Sequence, residues 1–206
     1  MPPESFSVAE IRAAEKPLLD AGVPLMARAA EALAAELRSR AASGPVLALI
    51  GSGDNGGDAL FAVAELAREG IDAAAVRAGS RVHEAAWADA LEAGVREVTV
   101  PEAVSMASRA SIVVDALRGI GGAGTGLRGA ARDLVLALRQ VDLPAVVAVD
   151  VPSGVDADTG EAGDDVLPAD TTLTFGAMKN GLLREPARSL AGRVVVVDIG
   201  LGLPRD

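Results

Sequence analysis

Six short runs rich in apolar and β-branched residues recur along this chain, at 46–50, 73–77, 111–114, 145–149, 171–175 and 194–198. Helical segments separate the earlier runs, at 57–69, 82–93, 101–109 and 128–140. A strand without polar alternation cannot show one face to water, so such strands must be covered on both sides. Alternation of such strands with helices predicts an α/β fold with a parallel sheet between two helical layers. The first 44 residues differ. Two helical stretches, about 7–20 and 24–41, flank a break at Gly22–Pro24, and the second carries apolar residues at 25, 26, 29, 30, 33 and 37, a helical period. We expect one domain over 1–206, with 1–44 a helical extension packed on the sheet.

Composition narrows the chemistry. The chain is 50% hydrophobic but only 2% aromatic, so the core must be built from Ala, Val, Leu and Ile. There is no Cys, which excludes disulfides and thiolate catalysis. One His, His83, and no Cys cannot form a zinc-type centre. A net charge of −10 argues against non-specific nucleic-acid binding. The opening MPPESFSVAEIRAAEK lacks a basic region followed by an apolar stretch, and no apolar run reaches the ~20 residues of a membrane helix. The expected setting is cytoplasmic, away from membranes and nucleic acid.

In an open α/β sheet, ligands bind beyond the carboxyl ends of the strands. Four of those ends carry polar, glycine-rich sequence. The first, GSGDNGGD at 51–58, satisfies G-x-G-x-x-G, a weak dinucleotide signal by itself. The acidic partner expected at the end of the second strand is missing, because Asp72 stands at its beginning and Arg77 at its end. Asp115 and Asp150 are each the first polar residue after an apolar run, and either could serve as acid, base or cation ligand. Ser153 follows Asp150 but lacks a nucleophile-elbow setting, and His83 lies in a helical stretch away from the strand ends, so a Ser-His-Asp triad is not expected. The remaining oxygen donors, Asn55, Asp115, Ser153 and backbone carbonyls, suit a hard cation. Lys179, one of two lysines, follows the fifth run and could face a ligand's phosphate or ring. Trp87 and Met26 fit helix faces as core or interface residues.

Taken together these loops resemble a known family, the NAD(P)H-hydrate epimerases or YjeF N-terminal domain proteins. The resemblance rests on GSGDNGGD (51–58), VVDALRG (113–119), GTGLRG (124–129), VDVPSGVDADTG (149–160) and TLTFGAMKNGLL (172–183). The opening AEIRAAE and GVPLMARAA and the closing VVVVDIGLGLP match as well, so it runs the length of the chain. It implies a Rossmann-like three-layer α/β/α sandwich that often dimerises. The implied reaction interconverts the R and S epimers of NADHX or NADPHX, nicotinamide cofactors hydrated at C6 of the ring, so that a separate dehydratase can restore them. One potassium ion is implied, held by Asn55, Asp115 and Ser153. Substrate contacts are implied at Asp54, Asn55, Gly56, Gly57 and Asp58, at Gly119, Ile120, Gly121, Gly122, Ala123, Gly124 and Thr125, and at Asp150 and Lys179.

The chemistry needs no redox partner and no covalent nucleophile. A hydroxyl beside the ring nitrogen is a carbinolamine, whose nitrogen lone pair helps expel the oxygen while a carboxyl group moves the proton. Asp150 as acid/base with Asp115 holding the cation satisfies this, as does the reverse assignment. Asp54 departs from the family's usual Asn and adds a negative charge. Arg77 is compatible with a 2′-phosphate. Two other functions fit the same fold: a non-catalytic binding scaffold, which has no need of Asn55, Asp58, Asp115, Asp150 and Ser153 together, and a nicotinamide-dependent oxidoreductase, favoured only by the glycine fingerprint.

Overall fold

The computed structural model describes residues 4–41, 44–121 and 124–203. Its strands are β1 (Val46–Ile50), β2 (Ala73–Arg77), β3 (Arg96–Val98), β4 (Ile112–Ala116), β5 (Ala145–Val149), β6 (Thr171–Phe175) and β7 (Arg193–Val197). They form a parallel sheet of order β3-β2-β1-β4-β5-β6-β7. The helices are α1 (Val8–Asp20), α2 (Leu25–Arg40), α3 (Asp54–Arg68), α4 (Glu84–Glu92), α5 (Val100–Ala107), α6 (Gly129–Leu138) and the short α7 (Ala187–Leu190), with a 3-10 turn at Asn180–Leu183. The order reverses between β1 and β4, which places the switch point of a doubly wound sheet there.

Period-two alternation divides each strand between two cores. Val46, Ala48 and Ile50 of β1 pack with Val114, Val149 and Phe175 against α2, α3 and α4. Leu47 and Leu49 pack with Val113, Val146 and Ala148 against α5 and α6. Both faces of the inner strands are dry, so their runs show no polar alternation.

The structure departs from the sequence-based expectations in three places. β3 was not expected, because Arg96 and Glu97 are exposed and only Val98 is buried. A short, charged strand at a sheet edge resists pairing with other chains and carries no hydrophobic signature. β4 includes Asp115 rather than ending before it. α3 starts at Asp54, three residues earlier than expected, so the glycine pair 56–57 lies within the helix. These glycines are there for packing: a Cβ at Gly56 would fall 2.6 Å from the Gly51 carbonyl oxygen, and one at Gly57 3.2 Å from the His83 ring.

The N-terminal segment is tied to the strand ends by specific bonds. Phe6 pairs as a parallel bridge with the Lys179 segment, its N–H donating to Met178 O at 2.9 Å and its carbonyl accepting from Asn180 N at 3.0 Å. The Val8 N–H donates to Asp158 Oδ1 at 2.7 Å. Ser7 and Glu10 cap α1 reciprocally, which fixes where the helix begins and how it enters. Only Ile11 of α1 is buried, so this helix serves as a wall more than as core.

Candidate active site at the carboxyl ends of the strands

A cavity of about 520 Å³ opens above the switch point, within the size range of small-molecule sites. α1 and α2 close one side, the start of α3 and the loop after β4 form another, and Asp150, Phe175 and Lys179 make the floor. A smaller cavity of about 270 Å³ adjoins it across Gly119, Ile120 and Gly121, with Gly124 and Asp158 on its far side. Arg12 lines both cavities and donates from Nη2 to the Ile120 carbonyl at 3.3 Å.

Two groups of polar residues lie at these strand ends; the first lines the large cavity, whereas Asp115 and Ser153 of the second line neither cavity and only Asn55 reaches the wall. The first is Asp150 with Lys179. Asp150 follows β5 directly and adopts φ 70°, the left-handed region that non-glycine residues rarely occupy. Such backbone strain persists only where the surroundings enforce it. Here the Asp150 N–H donates to Leu173 O at 2.6 Å, and its Oδ1 accepts from the Phe175 N–H at 3.3 Å and from Lys179 Nζ at 2.5 Å. Lys179 is 1% exposed, and its ammonium also donates to Phe175 O at 2.8 Å. The cation expected to face the ligand is thus buried and paired with the floor carboxylate.

The second group gathers Asn55, Asp115 and Ser153 around the loop after β4. Asp115 is 1% exposed, and its two oxygens accept from Ser153 N at 2.9 Å and Leu117 N at 3.4 Å. Burial pushes its carboxyl above the usual range, and those hydrogen bonds oppose the shift. Ser153 Oγ accepts from Arg118 N at 2.8 Å. Asn55 faces the same loop, since a Cβ at Gly119 would fall 2.9 Å from its Oδ1. The buried amide Nδ2 of Asn55 has no hydrogen-bond partner. An amide, a carboxylate and a hydroxyl therefore converge, with no basic side chain hydrogen-bonded or ion-paired to Asp115 among the described residues.

Carboxyl groups set the tone of the large cavity. Asp58 is 9% exposed and lines it, and burial is the main cause that pushes its carboxyl from 3.8 up to about 8, with Asp150, Asp54 and Glu15 adding repulsion. Glu15, half-buried on α1, is raised by burial and by Asp150, while Lys179 and Arg12 hold it down.

The remaining expected site residues separate. Asp54 is exposed in the first turn of α3 and lines the cavity, as do Asn55, Gly119, Ile120 and Gly121. Gly56 and Gly57 pack behind it. Gly124 lines the smaller cavity and Thr125 lines neither. Gly122 and Ala123 lie outside the described residues. Arg77, considered for a 2′-phosphate, stacks on Trp87 at 4.1 Å, pairs with Glu97 at 3.2 Å and does not line the cavity. Trp87 is core, as expected, and Met26 lines the cavity. His83 caps α4, accepting from Ala86 N at 3.2 Å, and stays off the cavity wall.

Several wall residues escaped the sequence reading. Arg12 and Glu15 reach the site from α1, a helix with a single fully buried residue. Arg118 donates from Nη1 to Gly126 O at 2.8 Å and from Nη2 to Gly124 O, and Asp165 accepts from Leu127 N at 2.8 Å. These two side chains hold the glycine loop through its backbone carbonyls and an N–H. The only advance signal was the density of glycine, which demands that something else fix the loop.

The fold and site define a doubly wound α/β domain with an acid-lined ligand cavity at its switch point. A family model described as "YjeF-related protein N-terminus" matches residues 22–181. The chain belongs to this family. It is 52% identical to the NAD(P)H-hydrate epimerase of Clavibacter sepedonicus, over 97% of this chain and 92% of that one. It is 44% identical to the bifunctional NAD(P)H-hydrate repair enzyme Nnr of Mycobacterium tuberculosis, over 96% of this chain but 42% of that protein. Among solved structures, yeast ynu0 matches with a TM-score of 0.78 at 18% identity, covering 94% of this chain and 87% of that one, which supports the three-layer fold.

Proposed function

We infer that the chain is an isomerase that interconverts the R and S epimers of hydrated NADH and NADPH. The observation that carries this reading is the convergence of Asp150–Lys179, Asp58 and Asn55 on one cavity, with Asp115 and Ser153 buried behind its wall, in a chain about half identical to an enzyme named for that reaction. A binding scaffold has no use for a strained aspartate clamped by a buried lysine at the floor of a cavity.

The chain's own residues can do the following. Asp150 presents a carboxylate to the cavity, a group able to take a proton from the C6 oxygen of a substrate bound there and to favour positive charge on its ring. Lys179 and the Phe175 N–H fix the direction of that carboxylate. The glycine loop at 119–121, held through Arg118, lets backbone approach the dinucleotide, and α1 and α2 exclude water from one side.

Asn55, Asp115 and Ser153 fit a monovalent cation, since the buried Asp115 supplies a single negative charge with no cationic side chain on it among the described residues, and the Asn55 amide oxygen and Ser153 hydroxyl oxygen lie at the same loop. Potassium bound there would supply fixed positive charge beside the loop after β4. A dehydratase acting on one epimer is the matching partner, which the bifunctional relative supports. Such a role is consistent with a cytoplasmic setting.

The test follows a single NADHX epimer by NMR, with potassium present. Approach to the R/S mixture should be faster with the protein than without it, and Asp150→Asn should abolish the gain. A wild-type rate equal to the uncatalysed one would sink the reading.

A further inference from the structure

Four carboxyl groups face the large cavity, and its one buried ammonium serves a single one of them. Lys179 is committed to Asp150 and to the Phe175 carbonyl. Asp54 is exposed and Glu15 half-buried, so water screens both. Asp58 differs from all three. It is nine-tenths buried, its carboxyl lines the cavity, and it has no hydrogen bond or ion pair from its carboxyl among the described residues. It lies one helical turn after Asp54 on α3, so the two acids share a face.

We propose that Asp58 is the proton donor of the epimerisation and rests with its proton on, while Asp150, clamped by Lys179, receives the proton at the opposite face of the ring. This assignment rests on the epimerase reading. The two carboxyl groups then share one proton. A carboxyl paired with an ammonium and a second with no cation can divide the roles of base and acid.

The step balances without a further reactant. Asp58 gives its proton to the C6 hydroxyl, and the C–O bond breaks with its electron pair on that oxygen, which leaves as water. The N1 lone pair closes an N1=C6 double bond. Water then adds to the other face of C6, the π pair returns to N1, and the proton shed by that water goes to the Asp150 carboxylate. A proton passes back from Asp150 to Asp58 through water in the cavity, which resets the pair.

The charged surroundings agree with a protonated Asp58. Asp54 on its own helix, Asp150 beyond β5 and Glu15 on α1 all repel an anion there, and burial disfavours one more strongly. The cations nearby are engaged: Arg12 with the Ile120 carbonyl, Arg118 with the glycine loop, and Lys179 with Asp150. His83 packs against the neighbouring Gly57, and its Nδ1 accepts from Ala86 N.

The test combines Asp58→Asn, Asp58→Glu and the wild type in the epimer assay across pH. Asp58→Asn should lower kcat at least ~100-fold while KM moves by less than ~3-fold, the signature of a lost proton donor. Wild-type kcat should fall about tenfold per pH unit above about pH 8, where Asp58 loses its proton. Asp58→Glu should keep a falling alkaline limb and part of the rate. Should Asp58→Asn not fold, 13C NMR of aspartate-labelled wild type decides: one carboxyl should titrate near pH 8 and vanish from the Asp58→Glu spectrum. An active wild type with a flat profile from about pH 6 to 9, or no aspartate titrating above about pH 6, overturns the assignment and leaves the epimerase reading standing. A wild type that does not accelerate epimerisation overturns both.

Discussion

Replacing Asp58 by Asn should stabilise the folded protein, and the gain should grow with pH. In the native state the carboxyl is pushed from 3.8 up to about 8, chiefly by burial. Between those values the folded chain keeps a proton that the unfolded chain has released. Stability therefore falls as pH rises through this window and levels off above about 8. Each unit is worth about 1.4 kcal/mol. From about pH 5.5 to 8.5 the wild type should lose about 3 kcal/mol through this one group, an upper figure because the cavity is open to water. Asn has the same shape and no charge to strand, so the variant escapes the loss. The assay is urea unfolding of both proteins at the two pH values, with ΔG from midpoint and slope. Other titrating groups, Asp115 and Glu15 among them, are common to both chains and largely cancel in the difference. That difference should widen by at least ~1 kcal/mol at the higher pH. A gap that stays constant within ~0.5 kcal/mol would refute the reasoning, because it would show that Asp58 ionises in the folded protein as freely as in the unfolded chain.

Three further outcomes are expected. Lys179→Met should cost about 3–5 kcal/mol by leaving Asp150 a buried unpaired charge, and adding Asp150→Asn should recover much of the stability but none of the activity, as read by melting curves and the epimer assay. Gly51→Ala should be among the most disruptive single changes, because its Cβ would sit 1.8 Å from the Leu117 carbonyl oxygen, whereas Gly53→Ala, with open space around it, should cost no more than about 1 kcal/mol. Adding potassium should raise the wild-type melting midpoint more than lithium does and leave Asp115→Ala unmoved; equal responses in both proteins would remove the proposed cation site.

Most of the sheet was legible because burial on both faces leaves no room for polar alternation, so the runs at 46–50, 73–77, 145–149 and 171–175 coincide with strands to the residue. β3 was illegible for the opposite reason, since an edge strand is free to be charged. The glycines misled in a physical way. A glycine pair can mark a flexible turn, or it can mark two helical positions where neighbouring backbone or a ring leaves no space for a Cβ. Sequence alone does not separate these; at Gly56 the second holds, and at Gly57 a Cβ would crowd the His83 ring.

The site shows the same division between what the chain order encodes and what tertiary contact adds. Asp115, Asp150 and Asn55 could be placed because each stands at or near a strand's carboxyl end, and topology brings those ends together. Charge state could not be placed, because it depends on which cation reaches which carboxylate. Asp58 and Asp150 look equivalent as letters, each an acid beside a strand end. What distinguishes them is Lys179, 29 residues beyond Asp150 and steered onto it by the bend after β6 and by the Phe6 bridge to the same segment. Of the two buried carboxyls that line the large cavity, the single ammonium serves Asp150, and Asp58 on α3 is left without a cation among the described residues. The N-terminal segment, which looked like an accessory to the sheet, thus helps determine which of two aspartates holds the proton.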